Sequence, residues 1–233
     1  MPDLDSAKLC FGHTQCARIK NHHEKIRQFI VVFRQASYIE ATWITIFTCE
    51  GKEMSHPDPD KVIREIWRPD GRGRIPPMYA IVDAARNESI YPEIMDYSGE
   101  HVCLYQGNIP EVLAKAAHHL VRLQQRSPFT KWLITEGWGD SWGVFLESSA
   151  DMRRLKEHFV GMNMAKDEEG NEFFFRYYDP RVLRAYLPTC NQTEATIFFG
   201  PARSFVMEDE DAGTMIKYSR ESTGWNYETI SLS

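Results

Sequence analysis

The stretch Glu172-Phe-Phe-Phe-Arg176-Tyr-Tyr-Asp179-Pro-Arg181-Val-Leu-Arg184-Ala-Tyr-Leu-Pro188 carries two periodicities in one run. Its first half alternates, with Phe173, Phe175 and Tyr177 pointing one way and Phe174, Arg176 and Tyr178 the other. Both sets are bulky and mostly apolar, the pattern of a strand covered on two sides within an α/β sheet. Asp179 then occupies a helix N-cap position. Pro180 follows at the first helical position, where its missing N–H costs nothing. Val182, Leu183, Tyr186 and Leu187 recur at helical spacing, Arg181 and Arg184 fall off that stripe, and Pro188 closes the helix. The expectation is a buried strand feeding a short capped helix that carries two arginines.

Outward from this stretch, strand and helix patterns alternate. Residues 79–82 form a second buried strand with Asp83 at its end, followed by a short helix over 89–95 and a strand over 101–105. Residues 109–125 fit either a helix, with Pro110 at its start and Val112, Leu113 and Ala116 inward, or a strand around His119. A brief helix over 129–135 leads through the glycine-punctuated turn Trp138-Gly-Asp-Ser-Trp142-Gly143 into a strand over 144–147. Ser149 or Asp151 caps a helix whose core face is Met152, Leu155, Phe159 and Met162. Residues 167–171 read as a turn. Beyond Pro188, 196–199 and 205–207 read as two strands meeting at the tight corner Phe199-Gly200-Pro201. The acidic run 208–211 opens an exposed tail, 209–233. Near the other end, 60–67 is an amphipathic helix with Val62, Ile63, Ile66 and Trp67 inward, and 69–77 is a turn-rich connector. The predicted architecture is α/β: a mixed sheet with short helices packed around it, plus an N-terminal extension. It divides into an extension (1–53), a helix and connector (54–77), a main domain (78–208) and a tail (209–233).

Composition narrows the function classes. A chain of 233 residues with 42% hydrophobic content suits one globular domain with an extension. A formal net charge of -6 argues against general nucleic-acid binding. The five cysteines are odd in number and irregularly spaced, which fits a reducing cytoplasm better than a disulfide framework. The N-terminus has no apolar signal-peptide core. The most apolar segment, 29–48, is interrupted by Arg34, Gln35 and Glu40, so no membrane insertion is expected. Cys10, His13, Cys16, His22 and His23 match no standard zinc spacing, and 1–53 reads as a solvated leader. Met54-Ser-His-Pro-Asp-Pro resembles a natural start, so the functional domain is expected to begin there.

No nucleophile elbow, phosphate loop, dinucleotide fingerprint or zinc-protease motif is present, and neither a catalytic residue nor a cofactor is predicted. His118 and His119 are neighbours whose side chains diverge, which makes them surface or half-buried histidines rather than a metal pair. Glu136, Asp140 and Glu147 could supply a carboxylate pair, but a solvated turn and a sheet ion pair account for them. Arg176, set in an apolar run, requires a carboxylate from Asp83, Glu147 or Asp179, and that ion pair would fix the register of the sheet. Arg181 and Arg184 either face a partner or stand in solvent. Trp138, Trp142 and Tyr178 are either aromatic anchors for a partner or parts of the core.

Three further segments accompany the opening stretch in fixed order: Tyr79-Ala-Ile-Val-Asp83-Ala-Ala-Arg86, Trp142-Gly-Val-Phe-Leu-Glu-Ser148 and Phe198-Phe-Gly-Pro201. Together they resemble the effector-chaperone (adaptor) family of bacterial type VI secretion over roughly residues 78–208. The resemblance implies a cytoplasmic, non-enzymatic protein that binds one secreted effector. It would help load that effector onto the valine-glycine-repeat spike protein (VgrG) or its tip partner, without itself being exported. Asp83, Arg86, Arg176, Asp179, Pro180, Phe199, Gly200 and Pro201 are the positions that carry the structural motif. Two other classes remain distinct: a hydrolase with dispersed carboxylates or histidines, and a structural subunit that self-assembles through its N-terminal extension.

Overall fold

The computed structural model describes residues 6–11, 15–20, 56–69, 71–166, 172–221 and 224–233, the first two segments by backbone only. The expectations placed on the N-terminal cysteine and histidine side chains, the run 29–48, a start at Met54 and the turn 167–171 lie outside the described residues. Strands β1 (Ser6–Phe11) and β2 (Gln15–Lys20) form an antiparallel hairpin.

The main body follows from alternation and capping. Helix α1 (Pro59–Ile66) starts where the Asp58 carboxylate accepts from the Asp60 N–H, and it buries Val62, Ile63 and Ile66. Then come β3 (Met78–Asp83), α2 (Ile90–Asp96), β4 (His101–Cys103), α3 (Glu111–Ala114) and β5 (His118–Leu123). These are followed by α4 (Pro128–Gly137), β6 (Gly143–Glu147), α5 (Met152–Gly161), β7 (Met164–Lys166) and β8 (Glu172–Phe174). The chain ends with α6 (Pro180–Tyr186), α7 (Gln192–Phe199), β9 (Ser204–Glu208), β10 (Thr214–Glu221) and β11 (Gly224–Ser231). The ambiguity over 109–125 resolves into both elements, α3 and then β5.

Seven strands form one sheet in the order β11-β10-β9-β6-β3-β5-β4, and every ladder in it is antiparallel. On one face Tyr79, Ile81, Leu120, Val144, Leu146 and Phe205 pack with Leu155, Phe159, Val182, Leu183, Phe198 and Phe199 from α5, α6 and α7. On the other face Met78, Ala80, Val82, Val121, Phe145 and Val206 pack with Val62, Ile66, Ile90, Ile94, Leu133 and Ile134 from α1, α2 and α4. With helices on both faces, β3 is buried along its whole length, which is why its sequence is an unbroken apolar run ending in Asp83. Burying each large aliphatic or aromatic side chain contributes about 1.5–3 kcal/mol. Among the described residues, no helix is long and apolar enough to cross a membrane.

The structure corrects three sequence expectations. The opening stretch is a strand only over Glu172–Phe174, and that strand pairs with β7 in a separate two-stranded ladder, outside the main sheet. Phe175, Tyr177 and Tyr178 are buried in the turn that follows. Tyr177 stacks on Phe159 with ring centroids 5.5 Å apart, and Phe175 meets Tyr186 edge-on at 4.9 Å. Burial by α5 and α6 therefore explains the aromatic run without a strand ladder. The helix after it is as expected, with Asp179 capping and Pro180 in the first turn.

Residues 196–199 belong to helix α7 and are not a strand. The Asn191 side chain accepts from the Glu194 N–H, the Glu194 carboxylate accepts from the Asn191 N–H, and Ala195, Phe198 and Phe199 are buried at helical spacing. Gly200 ends this helix at φ +48°, and a Cβ there would fall 2.2 Å from the His158 ring, so glycine is required. Finally, 209–233 is not a tail. Residues 209–213 turn between β9 and β10, and β10 and β11 extend the sheet with Met215, Tyr218 and Leu232 buried.

Candidate functional site

Asp83, Arg86, Arg176, Asp179 and Pro180 lie at the end of the sheet where β3 and β9 finish, while Phe199, Gly200 and Pro201 form the corner before β9, at its opposite end. Asp83 ends β3 and caps the 3-10 turn Ala84–Arg86, its carboxylate accepting from the Ala85 N–H at 3.1 Å. Arg176 reaches it from the turn before α6 and donates through Nη2 to Asp83 Oδ2 at 2.9 Å. The same nitrogen lies 3.6 Å from Asp179 Oδ2. Asp179 accepts from the Arg181 N–H at 3.0 Å, and it takes a two-pronged bond from the Arg181 guanidinium at 2.9 and 2.7 Å. The ion pair expected for Arg176 is therefore present, with Asp83 and Asp179 as partners and without Glu147. The two carboxylates are almost fully buried, at 4% and 3% side-chain exposure, while Arg181 is 50% exposed.

The two aspartates differ electrostatically. Burial raises the carboxyl of both. At Asp179 the Arg181 and Arg176 guanidiniums outweigh it and hold the group below the usual range. At Asp83 burial prevails over the single Arg176 bond, with the Asp179 charge adding to it, so its carboxyl sits above the usual range.

Behind this pair lies a buried polar core. His118 Nε2 is 2.9 Å from Asn163 Oδ1 and 3.2 Å from the Tyr177 hydroxyl, and its ring stacks on Tyr178 with centroids 4.2 Å apart. Asn163 Nδ2 donates to the Leu104 carbonyl at 2.7 Å, and the Tyr177 hydroxyl donates to the Phe159 carbonyl at 3.0 Å. Burial pushes the His118 pKa down to about 3, so the imidazole is neutral. His118 and His119 are thus interior residues, 1% and 2% exposed, correcting the surface assignment. They occupy opposite faces of β5, as alternation requires.

A second set of contacts joins the neighbouring loops. The Glu208 carboxylate accepts from the Gly139 and Ser141 N–H groups at 2.6 and 2.8 Å and from the Ser141 hydroxyl at 3.1 Å. Arg86 donates to the Asp140 carbonyl at 2.8 Å. Arg184 donates to the Glu208 carbonyl at 2.7 Å and lies 3.8 Å from Asp209. Trp138 Nε1 donates to the Ala212 carbonyl at 2.8 Å.

As partner anchors, several residues are misplaced by the sequence reading. Trp138, Trp142 and Tyr178 are buried at 4–5% exposure and leave almost no ring area for another molecule. Arg184 is 14% exposed and spent on β9, so of these two arginines it is Arg181 that presents a guanidinium edge to solvent. Glu136 and Asp140 are exposed, whereas Glu147 lies at the far end of β6, beside Ser204 and Arg203. These three carboxylates therefore form no cluster. Glu208 and Asn163 were missed, because a single polar residue closing an apolar strand or following a helix has no distinctive spacing. Among the described residues, no group of three or more His, Cys, Asp or Glu side chains is arranged to hold a metal ion.

The same end of the sheet carries the most exposed large apolar side chain described: α3 presents Val112 at 77% exposure, with Leu113 beside it at 53%. Its loop is tied to the motif by the Ala84 N–H donating to the Ala117 carbonyl at 3.2 Å. Chemically, this end is a rigid, internally paired charged scaffold that holds up an apolar tip.

A family model described as "Domain of unknown function (DUF4123)" matches residues 78–196. No curated protein and no solved structure matches the chain.

Proposed function

The chain belongs to the DUF4123 domain family, and from that premise we propose that it is a cytoplasmic chaperone-adaptor. In this reading it binds one secreted effector of a type VI secretion system and helps pass it to the valine-glycine-repeat spike protein or its tip partner. The observation that carries the reading is the pairing of the charged motif residues. Asp83, Arg176, Asp179 and Arg181 satisfy one another, and Glu208 is filled by backbone donors, which is the arrangement of a scaffold. A general base or nucleophile instead needs an unspent lone pair facing substrate. The exposed Val112 and Leu113 on that scaffold supply apolar area of the kind a client would cover.

Affinity purification of the tagged full chain from the bacterium that encodes it, with mass spectrometry of the eluate, tests the proposal. The expected result is one toxin-like protein together with a spike component. Val112→Glu with Leu113→Glu should lose that client while keeping the wild-type melting temperature. A bare bait, in cells expressing the secretion cluster, would contradict the proposal.

A further inference from the structure

Met78, Leu123, Glu147, Ser204 and Ser219 stand in one row across the sheet, each the register partner of a neighbour. The loops beyond this row form the end of the sheet opposite the Asp83 network. Residues 71–77, 124–127, 148–154, 200–203 and 220–221 contain Arg72, Arg74, Arg126, Arg153, Arg154, Arg203 and Arg220. They contain only two carboxylates, Asp151 and Glu221. All seven arginines are exposed. At the other end the balance reverses: residues 84–88, 104–117, 138–142 and 209–213 hold six carboxylates against Arg86 and Lys115. In a chain of net charge -6, this is a pronounced separation of charge along the strands.

Arg153 lies 3.4 Å from Glu157, but the nearby carboxylates leave part of the basic end without a counter-charge. Asp151 is spent as the cap of α5, accepting from the Arg154 N–H at 2.8 Å. Glu147 lies 3.5 Å from Arg203. Among the described residues, Arg126, Arg154 and Arg220 have no carboxylate partner within salt-bridge distance. The backbone beneath much of this surface is fixed. Ser148 Oγ donates to the Pro201 carbonyl at 2.8 Å, the Arg220 N–H to the Arg203 carbonyl at 2.9 Å, and the Arg220 guanidinium to the Gly200 carbonyl at 2.9 Å. From β5 to β10 is four strand spacings, about 19 Å. An extended peptide of about six residues spans that distance.

We propose that this arginine-rich end docks an acidic segment of a partner protein. On the adaptor reading, which this inference extends, that segment belongs to the client. Guanidinium groups are weakly hydrated and match a carboxylate with two parallel N–H donors, so they exchange water for a peptide carboxylate at low cost. Charge complementarity there would steer the client onto one end of the sheet and fix its orientation. A nucleic acid is the poorer match, because its long run of phosphates would also meet the acidic remainder of the surface.

The test uses the full chain and three fluorescent probes at low ionic strength: a short glutamate-serine peptide, its lysine-serine counterpart and a short DNA duplex. The glutamate peptide should bind, with affinity falling as salt is raised. Arg126→Glu, Arg154→Glu and Arg220→Glu together should weaken it by about tenfold or more, as expected for three exposed contacts reversed in sign. Reversal at the opposite end, Glu88→Lys with Glu210→Lys, should leave peptide affinity unchanged or slightly raised. Should the triple glutamate variant melt early, the same three arginines changed to glutamine serve instead. Equal peptide binding by wild type and triple variant, or tighter binding of the duplex, overturns the inference. The variants are also compared in the client-capture experiment. Absence of any client from wild type counts against the adaptor reading and leaves the peptide result to decide the surface. Equal client capture by wild type and triple variant overturns the surface alone.

Discussion

Replacing Arg176 with alanine removes the one side-chain donor that Asp83 has among the described residues, leaving a carboxylate 3% exposed with only the Ala85 N–H. Asp179 keeps its two-pronged Arg181 bond, so the damage concentrates on Asp83. Breaking a buried ion pair from one side costs about 3–5 kcal/mol. Arg176 is itself 24% exposed, which lowers its own desolvation penalty and places the expected loss near the bottom of that range, about 3 kcal/mol at pH 8. The pH dependence has a definite sign. The folded Asp83 carboxyl already sits above its unfolded value because of burial, and losing Arg176 raises it further. The folded variant therefore takes up a proton that the unfolded chain does not. Its penalty shrinks as pH falls through that raised pKa, by about 1.4 kcal/mol for each full unit. Urea unfolding of wild type and variant at pH 8 and pH 5.5, followed by tryptophan fluorescence, should show the gap narrowing. The double variant Asp83→Asn with Arg176→Ala should recover much of the loss, because no charge is then stranded. A gap below about 1 kcal/mol at pH 8, or one that does not change with pH, would refute the reasoning.

Two further outcomes follow from the same interior. His118 is neutral in the fold with a pKa of about 3 and titrates near 6.5 when unfolded, so it contributes stability above pH 6.5 that is lost as pH falls toward 3. At pH 5 its share of the loss is about 2 kcal/mol, with the lowered His119 and His158 acting in the same direction. His118→Gln should flatten the pH 7.5-to-5 stability profile, and an unchanged slope would count against burial of the neutral ring. Gly200→Ala forces a Cβ into the His158 imidazole at a positive φ and should cost about 2 kcal/mol or more in thermal unfolding. A variant as stable as wild type would mean that the α7 corner is not held as described.

Much of the core was legible because burial on both faces writes itself directly into β3, β6 and β9 as apolar runs, and because Asp151 and Asp179 carry recognisable caps. The opening stretch misled for a physical reason. Alternating aromatics report burial on two sides, and a turn wedged between α5 and α6 buries Phe175 and Tyr177 as completely as a sheet does. At α7, the local run Thr196-Ile-Phe-Phe199 has β propensity, but the capping box at Asn191 and Glu194 together with the 3.6-residue burial of Ala195, Phe198 and Phe199 decides for helix. For β10 and β11, acidic residues at the preceding turn mask strands whose outer edge is exposed.

The candidate site was half legible. Arg176 demanded a carboxylate and found Asp83 and Asp179, since a charge inside an apolar run has few options. The fate of Arg184, Trp138 and Trp142 depended on loops brought together only by the sheet topology, and no local spacing encodes that.

The central claim, that this chain delivers a client rather than performing chemistry, is tested most directly by its deletion. The proteins secreted by the parent bacterium, the deletion strain and the complemented strain would be compared by quantitative mass spectrometry. The account predicts that one effector disappears from the medium on deletion and returns on complementation, while other secreted components persist and this chain stays in the cells. An unchanged set of secreted proteins in the deletion strain, with the secretion system active, would contradict it.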